Sequence, residues 1–168
     1  MIIGVFLGSG VLTREVVSPA EALADIFGAS VELIGITASR VAGIEPGESF
    51  LPDRVLEEAE PDVLILPGGF GVRPMATDER IVGRLKHIAE TCDGVLTIST
   101  GTLLLAATGL LSGTRAAGHW LTAAELEPFG VTLSDRSIER HDRLFTTAGA
   151  VAAVEAVPML ADVILYGP

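Results

Sequence analysis

A small hydroxyl side chain stands where a predicted strand meets a predicted helix. The apolar run Val95–Ile98 leads into Ser99-Thr100-Gly101 and then into the helical segment Thr102–Thr108. In a nucleophile elbow the reactive residue occupies such a sharp turn, and a glycine two positions later makes room for the bend. The spacing therefore predicts an elbow at Ser99, although Thr97 replaces the first glycine of G-x-S-x-G. The simpler alternative is that Ser99 is a helix N-cap.

A glycine-rich turn follows another predicted strand. Val63–Leu66 ends at Pro67-Gly68-Gly69. Glycines allow a backbone with exposed N–H groups, and such groups can form part of an oxyanion hole. No Lys-Ser/Thr pair follows, so a phosphate-binding P-loop is excluded. The alternative is a tight strand-to-loop turn.

A histidine completes the set of reactive side chains. His119 lies in the predicted strand end Ala116–Trp120, where it could act as a general base. The alternative is a half-buried, hydrogen-bonded histidine. The other histidines, His87 and His141, are scattered, and no metal-binding spacing occurs. We therefore expect no metal and no cofactor.

The elements that position these residues follow a simple alternation. Short apolar runs alternate with amphipathic segments, which predicts an α/β protein with a buried, mostly parallel sheet. Ser18-Pro19-Ala20-Glu21 predicts the start of the first helix, which ends at Gly28. Ligands of doubly wound sheets bind beyond the carboxyl ends of strands, where the three places above lie. We expect residues 1–168 to form one three-layer α/β domain.

Charge and hydropathy limit the partners. The 168 residues include 22 acidic and 11 basic side chains, and the net charge of −11 disfavours nucleic acid and anionic membrane surfaces. No apolar run approaches the roughly 20 residues of a membrane span. The N-terminus lacks the basic region of a signal peptide. We expect a cytoplasmic protein that binds a small molecule and neither nucleic acid nor a membrane.

Three stretches resemble the DJ-1/PfpI superfamily, which has the flavodoxin-like fold of class I glutamine amidotransferases. They are Leu64–Gly69, Ser99–Leu105 and Gly109–Trp120, the last of which reads GLLSGTRAAGHW. The most similar subgroup comprises isonitrile hydratases and the sensor domains of AraC-type regulators. The resemblance implies a flavodoxin-like three-layer sandwich and a homodimer.

The resemblance also assigns roles by position. Ser99 matches the nucleophilic cysteine of the family, and Thr100 matches the threonine that follows it in isonitrile hydratases. Gly68 and Gly69 match the backbone oxyanion element. The segment EVVSPAE, which begins at Glu15, resembles the family's Asp-x-Ala-Gly-Pro-x-Glu. Glu15 therefore matches the acidic residue that contacts the cysteine sulfur.

Serine in place of cysteine changes the chemistry. A thiol is easily ionised, whereas a serine hydroxyl needs a base that takes its proton during attack. His119 is the predicted base, and Glu15 is its orienting or proton-transferring partner. The only thiol, Cys92, precedes the elbow by seven positions and is predicted to be an ordinary helix-end cysteine.

Two kinds of function stay open. One is an isonitrile hydratase-like or hydrolase-like enzyme that acts on a small carbon–nitrogen electrophile or ester. In it Ser99 attacks the substrate or positions water, and the N–H groups of Gly69 and Thr100 hold the developing negative charge. The other is a catalytically silent domain that binds or senses a small molecule. Glyoxalase, chaperone and peptidase roles rank last, because they rely on a reactive cysteine or on a histidine directly after it.

Overall fold

A computed structural model describes residues 1–167. Its strands are β1 (Ile2–Phe6), β2 (Ser30–Gly35), β3 (Val41–Ala42), β4 (Ser49–Phe50), β5 (Arg54–Val55), β6 (Val63–Leu66), β7 (Gly94–Ile98), β8 (Arg115–Ala116), β9 (Thr132–Leu133), β10 (Ile138–His141) and β11 (Leu144–Thr147). Its helices are α1 (Thr13–Phe27), α2 (Val72–Met75), α3 (Glu79–Thr91), α4 (Thr102–Ala107), α5 (Ala123–Leu126) and α6 (Ala150–Tyr166).

Seven strands form the central sheet, in the order β10-β11-β7-β6-β1-β2-β5. Neighbouring strands are parallel except for the β10–β11 hairpin. The chain adds β2 and β5 on one side of β1 and then crosses to β6 on the other, so the strand order reverses at β1. Ligands of doubly wound sheets bind beyond the strand ends at such a reversal.

Helices cover both faces of this sheet. On one face, Leu23 of α1 and Leu160 of α6 belong to the same buried apolar cluster as Val5 of β1. On the other face, Leu104 of α4 lies in a second cluster with Leu64 of β6, and α3 contributes Ile81, Leu85, Ile88 and Ala89. Strand β6 is fully buried, which explains its unbroken apolar sequence. The predicted α/β fold with a mostly parallel, helix-flanked sheet is confirmed.

The predicted start of the first helix is wrong. Helix α1 begins at Thr13, five residues before Ser18, and Pro19 lies inside it. The backbone N–H groups of Glu15 and Val16 donate to the carbonyl of Leu12, so the first turn is closed before the chain reaches the proline. The predicted end is confirmed, since Gly28 caps α1 in the left-handed conformation. The earlier start places Glu15 in the first turn.

The predicted strand Ala116–Trp120 is also wrong. Strand β8 ends at Ala116 and pairs with β9 outside the central sheet. The next backbone N–H, that of Ala117, donates to the side chain of Thr146 in β11 rather than to a backbone carbonyl. The hydrogen-bond ladder between β8 and β9 therefore stops at Ala116, and His119 lies in the loop before α5.

Candidate active site

The turn at Ser99 has the backbone of an elbow. Ser99 has a φ of +58°, a left-handed conformation that costs a serine energy and is held here by the strand before it and the helical turn after it. A 3₁₀ turn, Ser99–Gly101, continues directly into α4. The N-cap position of that turn is Ile98, and no side chain caps it. The N-cap interpretation of Ser99 is therefore wrong.

Gly101 allows the elbow to approach the end of β6. A Cβ atom on Gly101 would lie 2.0 Å from the carbonyl oxygen of Leu66 and 2.7 Å from that of Pro67. Both are backbone atoms and cannot rotate away. The prediction that this glycine makes room for the bend is confirmed, and the close approach brings the elbow against the glycine-rich turn after β6.

Glu15 is a buried carboxyl group beside the elbow. Only 4% of its surface is exposed. The backbone N–H of Gly68 donates to Oε2 at 2.8 Å. Burial raises the pKa of Glu15, although the Gly68 hydrogen bond and the positive charge of Arg14 act in the opposite direction. Glu15 therefore keeps its proton at pH values at which an exposed glutamate has lost it.

Three candidate side chains meet at the α-carbon of Gly68. A Cβ atom built on Gly68 would lie 2.8 Å from Oγ1 of Thr100, 3.1 Å from Oε2 of Glu15 and 3.2 Å from Cβ of Ser99. The N–H of the next residue, Gly69, donates to Oγ1 of Thr100 at 3.0 Å. The glycine turn thus brings together the acid, the elbow serine and the threonine that follows it.

The two glycine N–H groups have partners inside the protein. That of Gly68 is bonded to Glu15, and that of Gly69 is bonded to Thr100. In this arrangement they orient the two side chains. To stabilise a developing oxyanion, each would have to leave its present acceptor.

The ring of His119 is held in one tautomer. Its Nδ1 accepts a hydrogen bond of 3.2 Å from the backbone N–H of Leu121. A nitrogen that accepts an N–H bond carries no proton, so in the neutral ring the proton is on Nε2. The ring also stacks on Trp120, with 5.7 Å between the centroids. His119 is therefore arranged as a hydrogen-bond donor through Nε2 rather than as a base.

Buried threonines support the loop that carries His119. Oγ1 of Thr97 and Oγ1 of Thr102 are 2.7 Å apart, and Thr102 donates to the carbonyl of Ala117 at 2.8 Å. Thr146 accepts the N–H of the same Ala117 at 2.9 Å. We did not identify these residues from the sequence. The available signal was the occurrence of threonines in otherwise apolar strands, since Thr97 and Thr146 are fully buried.

Two cavities open beside Ser99, beyond the carboxyl ends of the strands. The larger measures about 630 Å³ and the smaller about 270 Å³. Both are lined by Glu15, Ser99 and His119. The smaller cavity also has apolar walls and reaches Gly69 and Thr100. All six residues selected from the sequence therefore lie in this region: Glu15, Gly68, Gly69, Ser99, Thr100 and His119.

Cys92 and Ser99 lie at opposite ends of strand β7. Cys92 ends α3, just before β7 begins, whereas Ser99 follows the end of β7. Its Sγ donates to the carbonyl of Gly94 at 3.3 Å, and burial raises the pKa of the thiol. Cys92 is thus a buried helix-end thiol, as predicted.

Residues 1–167 contain no group of three or more His, Cys, Asp or Glu side chains placed to hold a metal ion. Over the same range, no helix has the length and apolarity needed to cross a bilayer.

The raised pKa of Glu15 predicts how stability depends on pH. The folded state binds this proton more tightly than the unfolded state, so the added stability is fully present below the ordinary pKa of 4.5 and is lost as pH rises through the raised value. Glu15→Gln removes that loss. At neutral pH we expect the variant to be more stable than the wild type, by about 1.4 kcal/mol for each pH unit by which the pKa is raised.

Urea denaturation of both proteins across the acid-to-neutral range measures this difference. The advantage of Glu15→Gln should grow with pH and level off above the folded-state pKa. An advantage that is absent at neutral pH, or that grows toward acid, would show that Glu15 is not a neutral buried acid.

Comparison with known proteins agrees with the fold. The model of the DJ-1/PfpI family matches residues 1–161. Isonitrile hydratase of Pseudomonas putida is 31% identical over an alignment of 166 residues, and the match covers 95% of this chain and 70% of that protein.

Solved structures share the fold. A ThiJ/PfpI family protein from Pseudomonas syringae superposes with a TM-score of 0.85 at 23% identity, over 96% of this chain and 68% of that one. Schizosaccharomyces pombe DJ-1 superposes with a TM-score of 0.80 at 18% identity, over 96% and 90% of the two chains. The chain belongs to the DJ-1/PfpI family.

Proposed function

We propose that this protein hydrates small isonitriles to N-substituted formamides, with Glu15 as the proton donor. The observation that carries the proposal is the buried carboxyl group of Glu15, whose pKa is raised, next to the elbow serine. Similarity to an isonitrile hydratase over most of the chain supports the same substrate class.

The reaction needs an acid first. The proton on Glu15 passes to the terminal carbon of R–N≡C, which forms a C–H bond and leaves a nitrilium cation and the Glu15 carboxylate. A water oxygen then bonds to that carbon while an electron pair of the carbon–nitrogen bond moves to nitrogen. The water returns a proton to Glu15, and the product R–N=CH–OH tautomerises to R–NH–CHO. The sum is the addition of one water molecule, and Glu15 recovers its proton.

A mechanism in which protonation precedes the attack of water is compatible with serine at position 99. A nitrilium cation is electrophilic enough to react with water, so no ionised nucleophile is required. In residues 1–167 no hydrogen bond joins Oγ of Ser99 to Glu15 or His119, and no base therefore stands ready to take its proton. We assign to Ser99 the positioning of the attacking water, and to Nε2 of His119 a hydrogen bond to the substrate or water.

A substrate panel tests the proposal. Ester and amide hydrolysis need an activated nucleophile and free oxyanion donors, whereas the N–H groups of Gly68 and Gly69 already have acceptors. We expect formamide from small isonitriles and no turnover of activated esters or amides. Ester or amide hydrolysis that Ser99→Ala abolishes, without isonitrile turnover, would contradict the proposal.

A silent ligand-binding domain is the second candidate. It is favoured by the absence of a base on Ser99, described above, and it predicts that the native chain turns over nothing. Robust formamide production excludes it.

A thiol at the elbow tests whether the turn still activates a nucleophile. We expect Ser99→Cys to react rapidly with iodoacetamide, because the elbow is open to the cavities. The native protein should react slowly, since burial raises the pKa of Cys92 and only a small fraction is thiolate. Mass spectrometry of alkylated peptides distinguishes the two sites. Equal alkylation rates would show that the turn does not favour a reactive thiol.

Three further expectations belong to this proposal. The chain forms a single domain over residues 1–168, it acts as a homodimer, and it works in the cytoplasm. Sedimentation equilibrium tests the dimer.

A further inference from the structure

An ion pair connects the two walls of the smaller cavity, one next to Gly69 and the other next to His119. Nε and Nη2 of Arg73 donate to Oε2 and Oε1 of Glu125 at 2.7 and 2.8 Å. Two parallel bonds of this kind fix both distance and orientation. The partners are 52 positions apart in the chain, so the pair connects separate segments.

Each partner belongs to a segment that forms one wall of the cavity. Arg73 is in α2, just after Gly69 and Phe70, which line the first wall together with Arg73 itself. Glu125 is in α5, just after His119 and Leu121, which line the second wall. The pair therefore fixes the separation between the glycine turn and the histidine loop.

The two short helices are held to the core from their inner sides. Helices α2 and α5 have four residues each, too few to be stable alone. Each buries one of its own side chains in the same apolar cluster, namely Val72 and Leu126. These inner contacts hold the helices to the core, while Arg73 and Glu125 fix their outer sides.

We propose that Arg73 and Glu125 are positioning residues that set the width of the smaller cavity and thereby the affinity for substrate. They act through the walls and do not touch the reacting atoms. The remaining ion pairs found within residues 1–167 involve no residue that lines this cavity.

Amide hydrogen exchange tests the positioning without any substrate. The N–H groups of Leu121 and Thr122 are bonded to Nδ1 and to the carbonyl of His119. Arg73→Gln and Glu125→Gln should each speed exchange at these two amides severalfold, with an unchanged thermal midpoint. Arg80→Gln is the matched control, because it breaks an exposed ion pair with Glu57 away from the cavities. It should leave these amides unchanged.

Kinetics test the effect on substrate, and this arm rests on the proposed function. Each single variant should raise KM for an isonitrile about tenfold, the scale of one charge-assisted contact, with kcat nearly unchanged. The double variant should be no worse than either single variant, because both remove the same contact.

The outcomes separate the two proposals. Wild-type exchange rates in both single variants, or additive effects in the double variant, would overturn the positioning role. If the native protein turns over no isonitrile, the proposed function fails, and the exchange experiment still decides the role of the pair.

Discussion

Gly101→Ala is expected to lower the free energy of unfolding by about 3 kcal/mol or more, the upper range for overpacking. The added methyl would lie 2.0 Å from the carbonyl oxygen of Leu66. The clash can be relieved only if the elbow moves away from the end of β6, because the carbonyl oxygens of Leu66 and Pro67 are both backbone atoms. Urea denaturation measures the loss, and any protein that folds should show little turnover.

Gly83→Ala is the matched control for this substitution. Gly83 is an exposed glycine inside α3, and a Cβ atom there meets nothing within 4 Å. Alanine has the higher helix propensity, so we expect a gain of about 0.5–1 kcal/mol. Equal stability of Gly101→Ala and wild type would refute the close approach of the elbow to β6.

Glu15→Gln is expected to reduce kcat for isonitrile hydration by about a hundredfold or more, the usual contribution of a general acid. The amide oxygen still accepts the N–H of Gly68, so the fold and the turn are kept. The variant lacks a proton that can pass to the isonitrile carbon. Initial rates of formamide formation measure the loss.

The same variant separates catalysis from stability. We expect it to be less active and, at neutral pH, more stable than the wild type, because the buried carboxyl group costs stability once it ionises. Ser99→Ala should retain more activity, since it removes only a group that positions water. Full activity of Glu15→Gln would assign the proton transfer to another residue.

Local sequence predicted the sharp turn at Ser99 better than it predicted the residues around it. Ser99 and Gly101 lie in one turn whose spacing dictates the bend. Glu15 was found through resemblance, because its burial results from contact with Gly68, 53 positions later. Its helix was predicted to start at Pro19, six residues late, because proline is more common at a helix start than inside a helix.

Long-range contacts explain what the sequence could not predict. The support of His119 depends on two hydrogen bonds at Ala117: Thr102 of α4 donates to its carbonyl, and its N–H donates to Thr146 of β11. The tautomer of the ring depends on a backbone N–H two residues later. Neither contact has a spacing that marks it in the sequence.

The pH dependence of kcat/KM for isonitrile hydration by the native protein tests whether protonated Glu15 is the catalytic acid. Because Glu15 must carry a proton, the enzymatic rate, corrected for reaction in buffer, should be constant at low pH. It should fall tenfold per pH unit above an apparent pKa that lies clearly higher than 4.5. Glu15→Gln should show no such fall. A native rate that is flat, that rises with pH, or that is no faster than buffer alone would contradict catalysis by a protonated Glu15.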